Sequence, residues 1–186
     1  LEERKMKFKR YKFVKHDPKY KEIFEREKRK LGKILPKYQI EHIGSTSVPG
    51  MSGKPCIDVL VIVSDLKTVE KHINDMAQAG FGYAGPFVMD DSRLFRVVED
   101  NTLLANIHFF PVGHSHIAEM LDLRNYLRAH SEEVASYSKI KNELYVEYAD
   151  NYASYRKYKD EYMNELKERV SGWYVRDPSK NKVKLT

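Results

Sequence analysis

Apolar residues recur first at helical spacing: Tyr20, Ile23, Phe24, Leu31 and Ile34 share one face with Glu27, and charges fill the remainder. This pattern predicts an amphipathic helix. Asp17-Pro18 suits its start, Gly32 is a place for it to fray, and Pro36 ends it. The run Tyr38–Ile43 then reads as a short strand. A second run, Cys56–Val63, has six aliphatic residues in eight, five of them β-branched, and reads as another strand. Ser64-Asp65 should cap a helix over Leu66–Ala79, with Leu66, Val69, Ile73 and Met76 facing a sheet and Gly80 closing it. Phe81–Met89 is broken by glycines and reads as an irregular edge. Arg93–Glu99 and Leu103–Phe110 flank Asp100-Asn101 as a β-hairpin.

After Pro111-Val112-Gly113 the spacing returns to helical as far as Trp173, in two or three pieces, with Ser131 as an N-cap. Tyr145, Tyr148, Tyr152, Tyr155, Tyr162 and Leu166 form a stripe that reads as a packing face, the alternative being a surface that stacks on bases. Arg176–Thr186 carries no apolar pattern and is expected to be loose. The fold class is α/β (α+β), a mixed sheet flanked by helices with a helical C-terminal part. Its expected divisions are a basic arm over 1–15, the α/β part over 16–113, the helices over 114–173 and a tail over 174–186. No internal repeat is evident.

Composition narrows the function classes. The chain has 186 residues, 41% apolar and 32% charged, which suits a soluble globular protein. No apolar run approaches the roughly 20 residues that span a bilayer, and the first residues lack a signal-peptide core, so a cytoplasmic location and no membrane partner are expected. Leu1 at the start makes Met6 a candidate for the native beginning. One cysteine, Cys56, excludes an intrachain disulfide and a zinc site of several thiolates; it reads as a small core residue. The net charge of +6 suits an anionic partner, a nucleotide or another phosphorylated small molecule before nucleic acid. Much of that excess lies in the N-terminal arm.

Against this background Asp58 is the anomaly. On a strand it shares a face with Cys56, Leu60 and Ile62, where a lone carboxylate is costly unless a cation, a metal or several donors meet it. The loop before it offers Gly44, Ser45, Thr46, Ser47, Gly50, Gly53 and Lys54, a set of hydroxyls, flexible N–H groups and an ammonium suited to phosphate. It is not a Walker A loop, because a strand and not a helix follows. His42 and His108 also sit on strands, and the three side chains could meet on one sheet face as metal ligands or as an acid–base group. Arg93 and Arg96 point to opposite strand faces, so at most one can serve that site as a phosphate ligand. His114, Ser115 and His116 read as a cap and turn without an acid close by.

EHIGSTSVPG followed by KPCIDVLV resembles the signature of the GrpB family, which is similar to nucleotidyltransferases of the polymerase-β superfamily. HDPKY, Asn106-Ile107-His108, LRNYLRAHSEEVASYSKIKNEL and the Tyr155–Lys159 spacing extend the resemblance over about residues 16–170. It implies a nucleotidyltransferase-like sheet, with Gly44 and Ser45 at the nucleotide phosphates and Asp58 as the first metal-binding acid. Leu60 stands where a second acid is expected, and His108 where the later strand would carry a third. The implied cofactor is a divalent ion: Mg²⁺, Mn²⁺ or Zn²⁺. The implied activity is transfer of a nucleoside monophosphate to an unspecified acceptor. The alternatives are a non-catalytic module that binds a nucleotide or a coenzyme A precursor, and a helical interaction protein that oligomerises through its tyrosines.

Overall fold

The computed structural model describes residues 12–86 and 90–176. Most of the basic arm, the end of the irregular edge and the tail beyond residue 176 lie outside the described residues. Helix α1 (Lys19–Ile34) leads to strand β1 (Gln39–Ile43), a single 3₁₀ turn (Ser45–Ser47) and strand β2 (Ile57–Val63). Helices α2 (Leu66–Lys71) and α3 (Ile73–Gln78) precede strands β3 (Gly82–Gly85), β4 (Arg93–Glu99) and β5 (Thr102–Pro111). Three helices close the chain: α4 (Ser115–Ala129), α5 (Ser131–Glu147) and α6 (Tyr152–Arg176).

The five strands form one sheet in the order β1-β2-β5-β4-β3. β2 and β5 run parallel at its centre and the other pairs are antiparallel. Val59, Val61, Val63, Ile107 and Phe109 face a core closed by α1, α2 and α3. Leu60, Ile62 and Phe110 face the other way, against Ile117 and Leu121 of α4. The sheet is therefore apolar on both faces, as a covered parallel pair requires. Among the described residues no helix is long and apolar enough to cross a membrane.

Local chemistry explains most element ends. Asp100 and Asn101 both take positive φ, 49° and 59°, the conformation a two-residue hairpin turn demands and these residue types tolerate. Helix α1 runs straight through Gly32 and ends at Ile34, with Asp17 Oδ1 accepting from the Lys19 N–H at 2.9 Å. No atom lies within 4 Å of a Cβ built on Gly32. Gly32→Ala should therefore stabilise the chain by about 0.5–1 kcal/mol through helix propensity, read as a higher midpoint in urea unfolding.

The structure corrects the sequence in three places here. The expected helix 66–79 breaks at His72, whose N–H closes a tight turn onto Val69 O at 3.0 Å while Val69 and Met76 both stay fully buried. Ser131 is the first residue of α5 and not its cap. His130 occupies the cap position and turns its Nδ1 to Tyr126 O at 2.7 Å, satisfying the end of α4. The tyrosine stripe is split between α5 and α6, with Tyr148 stacked on Tyr158 at 5.0 Å and Tyr137 on Tyr162 at 5.3 Å. It packs those two helices together.

Candidate functional site

Strand register decides which polar side chains meet. Residues opposite one another on paired strands point to the same face. Ile43 lies opposite Asp58, Asp58 opposite Asn106, and Asn106 opposite Arg96, forming one row across four strands. The next row is Glu41, Leu60, His108 and Leu94. The apolar cover of helix α4 takes in Ile43, Leu60, Ile62 and Phe110, so the Ile43 end of the Asp58 row lies under it while Asp58 itself stays partly exposed.

Asp58 is held by side chains. Its Oδ1 accepts from Asn106 Nδ2 at 3.1 Å and meets His108 Nε2 at 3.2 Å. His108 is buried, whereas the Asp58 side chain keeps 32% exposure, so the carboxylate forms the wet end of the pair. Its Oδ2 faces Gly44: a Cβ built there would sit 2.6 Å from that oxygen, and the Gly44 φ of +70° also favours glycine. The loop backbone can approach the acid this closely only because residue 44 lacks a side chain.

His42 does not join them. It lies opposite Val59 and so points to the other face, where it stacks on Phe24 at 4.9 Å and bonds Thr46 Oγ1 at 3.0 Å. Burial, reinforced by the Arg128 charge, pushes its pKa down to about 4, so it is neutral near pH 7. Thr46 is thereby turned inward, and the Ser47 hydroxyl donates to Gly44 O at 2.7 Å. Neither hydroxyl is presented to a ligand. Arg93, opposite Phe109, also faces away, and its guanidinium is bound to Glu70 and to the carbonyls of Asp90 and Ser92. The expectations that His42, Thr46, Ser47 and Arg93 line the Asp58 site are corrected. Arg96 is the arginine on the Asp58 face.

Lys54 donates to Tyr152 Oη at 2.7 Å, tying the end of the loop to the start of α6. Cys56 is half-buried beside Asn106, not in the core, and burial and Asp58 push its thiol up to about 12. His114 does cap α4, accepting from the His116 N–H at 3.2 Å, but an acid is close after all: Asp91 Oδ2 lies 3.0 Å from its Nε2.

Two basic side chains at the loop escaped the sequence reading. Arg128 of α4 donates through Nε and Nη2 to Ser47 O at 3.0 and 2.7 Å, fixing the 3₁₀ turn from below. Lys141 of α5 is only 4% exposed, donates to Ser52 O at 2.6 Å and lies over the Tyr137 ring at 4.4 Å. A Cβ built on Gly53 would lie 2.4 Å from Ser45 Oγ and 3.9 Å from Lys141 Nζ, so hydroxyl and ammonium converge on one glycine. Burial, then the neighbouring Lys159 charge, brings the Lys141 pKa down to about 7. The signal was in the helix itself: Val134, Tyr137 and Lys141 share one buried face, which puts a lysine in a core position.

The donor set decides what metal chemistry fits. Among the described residues no group of three or more His, Cys, Asp or Glu side chains is placed to hold a metal ion. A two-ion centre, which needs several carboxylates around ions ~3.5–4 Å apart, does not fit. Asp58, its side chain 32% exposed, offers a single carboxylate, and a divalent cation bound through one or two carboxylates commonly takes its remaining ligands from water and substrate phosphates.

The chain matches a family model described as GrpB protein over residues 10–169. It is 33% identical over 133 residues to a UPF0157 protein of Halalkalibacterium halodurans, covering 70% of this chain and 67% of that one. It is 30% identical over 159 residues to the glutamate-rich protein GrpB of Alkalihalophilus pseudofirmus, covering 82% and 91%. A Bacillus subtilis relative, 31% identical, is matched over 46% of its length. Among solved structures, the conserved protein GrpB from Enterococcus faecalis superposes with a TM-score of 0.81 at 29% identity, over 88% of this chain and 99% of that chain. Cid1 poly(U) polymerase superposes with a TM-score of 0.54 at 12% identity, over 73% of this chain and 45% of that one. The second likeness concerns the fold alone, a nucleotidyltransferase-like sheet flanked by helices.

Proposed function

This chain belongs to the GrpB family, and from that premise we propose that it binds a nucleoside triphosphate beside Asp58 and transfers its nucleoside monophosphate to an acceptor. The observation that carries the reading is the partly exposed Asp58 carboxylate, fixed by Asn106 and His108 and abutting Gly44. Ser45 and Lys141 hold the phosphate chain, the first by its hydroxyl and the second by a cation shielded from water. Arg128 keeps the turn in place through the Ser47 carbonyl. An oxygen of the acceptor forms a bond to the α-phosphorus, the α–β phosphoanhydride bond breaks, and pyrophosphate leaves. The acceptor proton passes to the Asp58–His108 pair. Asp58 would hold a divalent ion through its carboxylate, and that ion would supply charge neutralisation for the phosphates. Such chemistry depends mainly on positioning and electrostatics, which a sparse site can provide.

The test is calorimetric titration of the chain with ATP, GTP, CTP and UTP in Mg²⁺, Mn²⁺ or Zn²⁺, with pyrophosphate release followed in parallel. No binding of any triphosphate sinks the reading. Binding without pyrophosphate, even with phosphorylated alcohols present, favours a second reading: a module that recognises a nucleotide or coenzyme A precursor without chemistry. One observation supports that alternative: Leu60, two residues after Asp58 on the same strand face, is fully buried, so β2 presents a single acid.

Lys141 gives a separate check. As the free ammonium deprotonates with rising pH through about 7, it ceases to attract phosphate. ATP affinity should therefore fall roughly tenfold more in the wild type than in Lys141→Met between pH 6.5 and 8.5. Stability runs the other way. With a folded pKa depressed below the ordinary 10.5, the unfolded chain binds more protons between about 7 and 10.5, so stability rises with pH across that window. Lys141→Met should abolish both slopes, and identical ATP profiles in the two proteins would remove Lys141 from the site.

A further inference from the structure

Two arginines three residues apart on β4 have opposite fates. Arg93 is saturated by Glu70 and by backbone carbonyls. Arg96 lies in the Asp58 row, opposite Asn106, and its Nε is buried without a hydrogen-bond partner among the described residues. A guanidinium nitrogen shut away from water with no acceptor destabilises the folded chain, so its retention calls for a reason. On its other side Arg96 pairs with Gly82, which is exposed and has no side chain, so no neighbour on β3 covers it.

Position supplies the reason. The row runs from Ile43, beside the Gly44 turn, through Asp58 and Asn106 to Arg96. Strands lie about 4.8 Å apart, so Arg96 starts about 10 Å from Asp58, on the side away from the Gly44–Ser45 loop. In-line displacement needs the leaving group on one side of the transferred phosphorus and the attacking oxygen on the other. The loop and Lys141 occupy the first side, leaving the Asn106–Arg96 end for the acceptor. A guanidinium there matches the geometry of a phosphate or carboxylate.

We propose that Arg96 docks an oxyanion carried by the acceptor, so that the molecule receiving the nucleotidyl group bears a phosphate or carboxylate. The assignment rests on the reading of Asp58 as a transfer site, and the test separates the two. The full chain, ¹⁵N-labelled, is titrated with inorganic phosphate and in parallel with acetate while the arginine Nε–H resonances are followed by NMR. The Arg96 signal is identified by its loss in Arg96→Lys. A saturable shift of that signal is expected, the tighter of the two anions naming the group. Arg96→Gln should weaken that anion roughly tenfold or more. An Arg96 resonance that neither anion moves overturns the assignment, as does an unchanged dissociation constant in Arg96→Gln. If Arg96→Gln fails to fold, the wild-type titration decides alone. Titration of the unaltered chain with ATP judges the parent reading. A chain that binds ATP but shows a silent Arg96 loses only the docking role. One whose Arg96 takes phosphate while ATP fails to bind keeps an anion site and loses its place in nucleotidyl transfer.

Discussion

Asp58→Asn should lower triphosphate turnover, measured as pyrophosphate release, by roughly 10²–10³-fold, the loss typical when one electrostatic element of a site is removed. The substitution preserves shape. An amide oxygen can still accept from Asn106 Nδ2, so the 3.1 Å bond survives, and only the charge is lost. Removing a charge from a site that is two-thirds covered costs the fold little; the thermal midpoint should stay close to wild type or rise. A structural acid would behave otherwise, with a falling midpoint and no effect on a ligand. Unchanged turnover in a folded Asp58→Asn protein would exclude Asp58 from the chemistry. If the chain only binds, the same variant should lose affinity for ATP in the presence of divalent metal.

How far the site could be read in advance depended on whether the information was local. The β4–β5 hairpin was legible because its turn chemistry sits in two adjacent residues, Asp100 and Asn101. Asp58 stood out because period-two alternation placed it among aliphatic residues, and the structure keeps that face. His42 escaped for a physical reason: alternation relates residues along one strand, but pairing between strands decides which face they share. In the antiparallel β1–β2 pair it is Ile43 that faces Asp58, leaving His42 opposite Val59. A one-residue shift would have reversed the outcome. The same holds for Arg93 and Arg96, where the sequence showed opposite faces without saying which was Asp58's.

The helical contributions were less legible still. Lys141 reaches the loop across 89 residues to bind Ser52 O, and Arg128 across 81 to bind Ser47 O. No spacing rule connects such positions. The loop that precedes β2 is also the surface against which the C-terminal helices pack, through Val48, Met51, Leu127 and Val134. One packing event thus buries apolar surface and delivers a lysine to the Ser52 carbonyl. The helical part fixes the loop through Arg128 and Lys141 as well as covering the sheet.

Gly44→Ala tests the closeness of loop and acid, and should be as damaging as loss of the acid itself. The φ of +70° disfavours any side chain there, and the new Cβ would lie 2.6 Å from Asp58 Oδ2. The carboxylate cannot easily swing clear, since Oδ1 is held by Asn106 and His108. Strain and overpacking together should cost about 2–4 kcal/mol, against a gain for Gly32→Ala in the same chain. ATP affinity should fall with it as the loop moves off the acid. A double-mutant cycle separates the two causes. In the Asp58→Ala background the 2.6 Å clash with Oδ2 disappears, leaving backbone strain and a 3.3 Å contact with the retained Cβ, so the two substitutions should be non-additive by about 1 kcal/mol or more in urea unfolding. Strict additivity would mean that Gly44 and Asp58 do not touch in solution, and the proposed site would lose the contact on which it is built.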